Sequence, residues 1–383
     1  MITRADADRL RALRSSGTPV VSLYLPVPLD LADHRGLATR ARELVRAAAA
    51  EASDRGLPPP GERDVESLAA LVGAHSHEWL GRTVALFACA GIGLSQTAAL
   101  PGAPTERAVV ARRPYLRPLL AAMQRNPAYR VAVIDARHAW VLAIGDDRIE
   151  TVAERTGEGV PSTGFAGWYG LESYRVQQRI MQLARQHFRQ TFAILDRPAG
   201  VERLPLAIGG QEAEVSQFLA AAPRGVSDAV AGTFRVDLQT VTPGRIRELA
   251  GPVIARWTRQ AEAAVIADVL GQPPNRAVTT GLDGCLAAIR SGAVGQLIVA
   301  DEEFVPGFGC GQCGALSTRQ DRCDCPDLAE PCQPVPDLLD EMACRALDGG
   351  AEVTAVRRAP FAVAARLRFP VTTLTTGAAS SSG

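Results

Sequence analysis

The 383-residue chain contains no lysine; all 41 of its basic side chains are arginine. With 35 glycines and 26 prolines, this bias reads as a GC-rich coding sequence more than as selection for phosphate-binding guanidinium forks. The absence of lysine excludes a G-x4-G-K-[ST] phosphate loop, and no G-x-S-x-G nucleophile elbow occurs either. Long apolar runs are also absent, so no stretch reads as a membrane span. Met1 leads into a charged helical stretch, Thr3 to Arg14, and not into a signal peptide. A cytoplasmic protein is expected, with no membrane or DNA partner and no disulfide framework. Net charge is zero but uneven. Residues 1–128 carry 16 arginines against 12 acids, and residues 271–383 carry 9 against 13. A basic front and an acidic back suit a chain that meets RNA at one end and protein at the other.

Breakers divide the chain into three expected domains. The first, 1–128, reads as α/β: a buried strand over Val20–Leu25, helical stretches split by Pro58-Pro59-Pro60-Gly61, and a buried strand over Thr83–Cys89. The second, 129–272, opens with β-branched alternation over Arg130–Asp135, Ala139–Ile144 and Arg148–Ala153, an antiparallel meander. A glycine-rich loop and a long helix from Leu171 to Gln190 follow. A strand then ends at Ile208, helix Glu212–Ala221 follows, and a last helix covers Pro243–Leu270. The third domain, 273–375, alternates helix and strand as an αβα sandwich interrupted by an insert at 307–334. The tail, 376–383, is small and polar and reads as disordered.

Five of the eight cysteines fall in that insert: Cys310, Cys313, Cys323, Cys325 and Cys332. Gly309-Cys310-Gly311-Gln312-Cys313-Gly314 is a C-x2-C knuckle, which sets two thiolates on one tight turn. Cys323-Asp324-Cys325 is a less regular second pair, and Cys332 could replace either member. The spacing predicts a structural zinc ribbon; a ribbon that has lost its metal and a redox role are the alternatives. Cys89, Cys285 and Cys344 lie in apolar segments and read as core thiols.

Gly209-Gly210-Gln211 lies between the apolar run Leu204–Ile208 and Glu212-Ala213-Glu214. That context is a strand-to-helix turn, where glycine allows positive φ and close approach, and the glutamates complement the helix dipole. The loop Thr163 to Gly170 carries Phe165, Trp168 and Tyr169 among glycines. On the helix behind it, Arg175, Arg179, Arg185 and Arg189 fall within about 120° of arc, together with Gln178, Gln182 and Gln186. Aromatics stack on bases and arginine forks bind phosphates, although an ordinary solvated face fits the same pattern. His75-Ser76-His77-Glu78 lacks further ligands for a metal, and Asp135 with His138 suits a hairpin turn as well as a catalytic dyad.

The order of these pieces resembles the archaeo-eukaryotic class-1 release factor and Pelota superfamily in its bacterial branch, which includes ribosome hibernation factors of the Balon type. The resemblance covers most of the chain and is clearest over 129–372. It rests on the meander Tyr129–Glu154, the glycine loop, the arginine-bearing helix, the Leu282–Asp301 and Asp337–Val356 stretches and the closing Ala364–Phe369. It implies a three-domain architecture with a mixed-sheet middle domain. In that family the loop carries the catalytic Gly-Gly-Gln, and archaeal members have a zinc ribbon where Cys310–Cys332 lies here. Two departures matter. Thr156 to Val176 contains no glutamine, and the stop-codon motif Asn-Ile-Lys-Ser cannot occur without lysine. The resemblance therefore implies a ribosome-binding factor that fills the A site without peptide hydrolysis. Gly164, Phe165, Gly167, Trp168, Tyr169, Gly170, Arg175 and Arg179 would meet ribosomal RNA, and a translational GTPase such as elongation factor Tu would be the protein partner. A peptidyl-tRNA hydrolase or rescue factor with a different loop chemistry is the enzymatic alternative. A stress-related factor that binds other RNA or protein is the third.

Overall fold

The computed structural model describes residues 4–101, 105–145, 148–157, 171–196, 204–271, 277–301, 303–320, 323 and 332–370. The first segment contains α1 (Arg4–Ala12), β1 (Val20–Pro26), α2 (Leu37–Asp54), α3 (Glu62–His75), β2 (Thr83–Cys89), β3 (Leu94–Leu100), β4 (Arg107–Ala111) and α4 (Arg117–Arg125). The middle contains β5 (Tyr129–Ile134), β6 (His138–Ile144), β7 (Ile149–Thr156), α5 (Leu171–Leu195), β8 (Leu206–Gly210), α6 (Glu212–Ala221), α7 (Arg224–Ser227), β9 (Val230–Arg235) and α8 (Pro243–Gly271). The last contains β10 (Val278–Thr280), α9 (Leu282–Arg290), β11 (Val294–Ala300), β12 (Gly307–Gly309), β13 (Leu316–Ser317), β14 (Gln333–Val335), α10 (Leu338–Asp348), β15 (Glu352–Val356) and β16 (Val363–Leu367). The fold is mixed α/β with several sheets. It divides into two compact units, one of residues 1–124 with 264–383 and one of residues 125–263.

In the first unit, β1 lies inside the antiparallel sheet β3-β2-β1-β4. The two-residue period of the strand decides its packing. Val21, Leu23 and Leu25 meet Val45, Leu68 and Val72 of α2 and α3. Tyr24, on the other face, meets Leu10 of α1 and Leu119 of α4. A second sheet, β10-β16-β11-β15, has β11 and β15 parallel. Helices α9 and α10 cover one face through Cys285, Leu286, Leu338 and Met342. Val265, Ile266 and Val269 of α8 cover the other, so the C-terminal part is an αβα sandwich. Its edge strand β15 is capped by Gln124, whose amide donates to Val353 O and accepts from Ala355 N. A side chain thus takes the place of a neighbouring strand.

The two parts of this unit are joined by charges withdrawn from water. Arg117 lies 2.7 Å from Asp337, with both side chains almost fully buried. Arg113 donates to Glu341 at 2.9 Å. Arg117 also donates to Ala300 O at 2.7 Å, and Tyr115 Oη donates to Asp337 at 3.0 Å. Burial pushes Asp337 upward, against Arg117, Tyr115 and the Val305 and Leu339 N–H groups. Burial works against the Arg117 cation too, but Tyr115 and Asp337 outweigh it. Asp340 accepts from Leu116 N at 2.9 Å and Arg117 N at 2.7 Å. Burial, opposed by Arg113, pushes its carboxyl up to about 7.

The second unit has one sheet, β7-β6-β5-β8-β9, in which β5, β8 and β9 run parallel and β6 and β7 antiparallel. Phe188 and Phe192 of α5 and Phe218 of α6 fill one face against Ile134 and Ile208. Ile246, Ala250 and Val253 of α8 fill the other against Val131 and Val133.

Two outcomes are expected for the buried charges. Arg117→Met strands Asp337 and lowers stability by about 3–5 kcal/mol, read from the shift in urea midpoint. Asp340 is protonated in the folded state and ionised in the unfolded state between about pH 4 and 7, so stability falls as pH rises through that window. Asp340→Asn keeps the acceptor oxygen and flattens this dependence, which unfolding curves at pH 5 and pH 8 measure.

Candidate functional site

The cysteine insert folds as a three-stranded antiparallel ribbon, β13-β12-β14. The knuckle turns at Gly314, whose φ of 70° suits glycine. Cys310 N donates to Ala315 O at 2.8 Å, and Gly314 N to Cys310 O at 3.0 Å. Cys313 and Cys323 sulfurs lie 3.4 Å apart, and those of Cys310, Cys313 and Cys323 all lie within 4.8 Å of one another. Backbone N–H donation from Cys313, with help from the Cys323 thiol and Gln312 N–H, holds the Cys310 thiol down to about 6. That favours the thiolate that metals take.

Four sulfurs about 2.3 Å from a tetrahedral zinc lie about 3.8 Å from each other, so these three cysteines could hold such an ion. For the fourth position, register is informative. Gly309 pairs with Gln333, which sets Cys310 and Cys332 next to each other on adjacent strands, both buried. Burial raises the Cys332 thiol, and Cys310 and Cys313 add to the effect. Cys325 lies outside the described residues.

In the second unit, α5 has two contrasting faces. Gln178, Arg179, Gln182, Arg185, Gln186 and Arg189 are exposed, whereas Ala184, Phe188 and Phe192 are buried. The polar stripe is therefore the outer surface of the helix that follows the glycine-rich loop. Gly164, Phe165, Gly167, Trp168, Tyr169 and Gly170, and the Arg175 side chain, lie outside the described residues.

Gly209-Gly210-Gln211 is a strand-to-helix turn: β8 ends at Gly210 and Gln211 precedes α6. A Cβ on Gly209 would come within 2.5 Å of the Phe234 ring. On Gly210, with φ of 153°, it would come within 2.5 Å of Ile134 O. The glycines are needed for close approach, not for chemistry. Asp135 accepts from Arg137 N at 2.6 Å, His138 N at 2.5 Å and His138 Nδ1 at 3.0 Å. Burial would raise this carboxyl, but the donors hold it below its ordinary value. A carboxylate so occupied fastens a turn. His75 meets Glu78 at 2.9 Å in an exposed pair.

Sequence reasoning passed over one residue of this unit. His187 is buried on the apolar side of α5, seven residues after Ile180. The signal was its helical position, three residues after Ala184.

Residues 114–262 match the model of bacterial archaeo-eukaryotic release factor family 10. The match covers 149 of the 383 residues. No curated protein matches the chain. Among solved structures, an archaeal translation termination factor, aRF1, is similar at 15% identity and a TM-score of 0.27, over 96% of this chain and 99% of that one. Archaeoglobus fulgidus Pelota is similar at 15% identity and 0.34, over 77% and 82%. S. cerevisiae Dom34 is similar at 8% and 0.43, over 78% and 82%.

Gly210→Val is expected to destabilise the second unit by about 2 kcal/mol or more, because backbone and not a flexible side chain meets the new atoms. Thermal unfolding measures it; an unchanged midpoint would contradict the close-approach account.

Proposed function

We propose that the chain is a ribosome-binding translation factor that occupies the A site without hydrolysing peptide, in a hibernation or stress setting. The observation that carries this reading is the exposed Arg/Gln stripe of α5 in the segment that matches the release-factor family. Arginine forks at spacings of four to six residues along one helix face suit a phosphate backbone. The neighbouring loop, Thr156 to Val176, supplies aromatics for stacking and no glutamine to position a hydrolytic water. In this reading the loop residues 164–170 with Arg175 and Arg179 meet ribosomal RNA, and a translational GTPase such as elongation factor Tu is the protein partner.

The test is co-sedimentation with 70S ribosomes, with and without A-site tRNA. Binding displaced by the tRNA is expected, with no release of labelled peptide. Replacing Arg179, Arg185 and Arg189 by glutamine should weaken binding and reduce the slope of log K against log salt by roughly 2–3. An unchanged slope would remove α5 from the interface.

For the ribbon, we infer a structural zinc on Cys310, Cys313, Cys323 and Cys332. When bound, it would close the knuckle against β14. The expected content is about one zinc per chain by metal analysis. Cys332→Ser should lose it and Cys325→Ser should retain it; the reverse outcome would assign Cys325.

A further inference from the structure

We propose that His187 is a pH-sensitive latch that holds the exit of β7 against α5. The residue is 3% exposed, and neither ring nitrogen has a hydrogen-bond partner among the described residues. The His138 main chain lies near enough to favour a charged ring, but no bond of normal geometry forms. Gly157, the residue after β7, faces the imidazole: a Cβ built there would lie 3.4 Å from Nδ1 and 3.1 Å from Arg137 O. Gly157 N is itself bonded to Arg137 O at 2.5 Å. The point where the chain leaves the sheet therefore lies between the β5–β6 turn and a buried imidazole that no described residue pairs.

The surroundings suit the neutral ring. From the β5–β6 turn come Asp135, Arg137 and His138; from β7 comes Arg155; from α6 comes Glu214, which feels Asp135. Among the described residues Asp135 is the acid whose charge acts on the His187 ring, and its oxygens already accept from Arg137 N, His138 N and His138 Nδ1. Arg155 is turned to Gln190 at 2.8 Å. A proton on His187 would add a buried charge and an unmet donor, a state that burial disfavours strongly.

Burial lowers the His187 pKa; the nearby His138 main chain and Asp135 oppose this, and Arg155 and His138 assist it. An opened state, with the ring in water, titrates near the ordinary value of about 6.5. It binds more protons than the closed state as pH falls through that value, so the closed contact is favoured above it and lost below. Acidification would then free Gly157 from α5, while the main-chain donors of Arg137 and His138 still hold the Asp135 turn. The latch stands apart from the proposed function; only its effect on ribosome binding, through the loop that begins after Gly157, rests on that reading.

The experiment is amide hydrogen exchange of the full chain at pH 7.5 and 5.5, corrected for intrinsic rates, read at residues 154–157. Wild type is expected to lose roughly tenfold protection at the lower pH, equivalent to about one pKa unit. His187→Leu should lose none, and His138→Gln should behave as wild type. If His187→Leu does not fold, the ring's own titration by NMR in wild type decides. A value well below 6.5 with Gly157 shifting in step supports the latch. Equal protection at both pH values, loosening in His187→Leu, or a ring that titrates at 6.5 or above while Gly157 stays packed would overturn it. Ribosome affinity at the two pH values is measured separately. Loosening without a change in affinity sinks only the link to the ribosome.

Discussion

Arg113 and Arg117 leave water for a set of carboxylates on and just before α10, and this exchange sets the terms for the rest of the first unit. Neither cation has a cheap alternative once it is buried, since removing its partner leaves a charge in a low-dielectric interior. Asp337 and Glu341 therefore hold positions 113–117 to α10 across more than 220 residues of sequence. The same helix carries the ribbon. Leu338 fills the space that a side chain at Gly307 would take, and the Arg345 guanidinium lies against Gly314 of the knuckle. Arg345 also bonds Glu341 at 3.3 Å, on the oxygen that Arg113 uses. One row of contacts thus connects the knuckle, α10 and the N-terminal sheet.

The second unit follows a different logic, with no comparable buried ion pairs among its described residues. Its sheet is held by aromatic and aliphatic contacts on both faces, and its polar chemistry is pushed to strand ends and helix surfaces. Helix α5 shows the division most clearly. Arginines and glutamines line one side in water, and on the other the His187 imidazole lies beside Phe188 with no hydrogen-bond partner among the described residues.

Much of this was legible in the sequence because local chemistry decided it. The strand through Ile208, which runs two residues further to Gly210, the helix beginning at Glu212 and the long helices α5 and α8 follow from periodicity, glycine at a tight junction and acids at a helix start. The knuckle was legible from spacing alone. Strand β9 was not, because Gly232 interrupts a short apolar alternation that reads as connection. The joining of residues 113–117 to α10 was also hidden. Asp337, Asp340 and Glu341 look like acids that complement a helix dipole, and Arg113 and Arg117 look like solvated charges beside prolines. Only long-range pairing shows that all five are buried. His187 was masked by its neighbours, since Gln186 and Arg189 draw the eye to a polar face.

The discontinuous first unit has a consequence in time. Arg117 leaves the ribosome well before its partner Asp337 is made, and the entire second unit is synthesised in between. At about 5–20 residues per second, the N-terminal segment waits on the order of 10–45 s with its cations unmatched and the face that receives Cys344 of α10 uncovered. The chain must therefore be born with an open first sheet. The middle unit can complete itself meanwhile, and α10, made after it, seals the structure begun first.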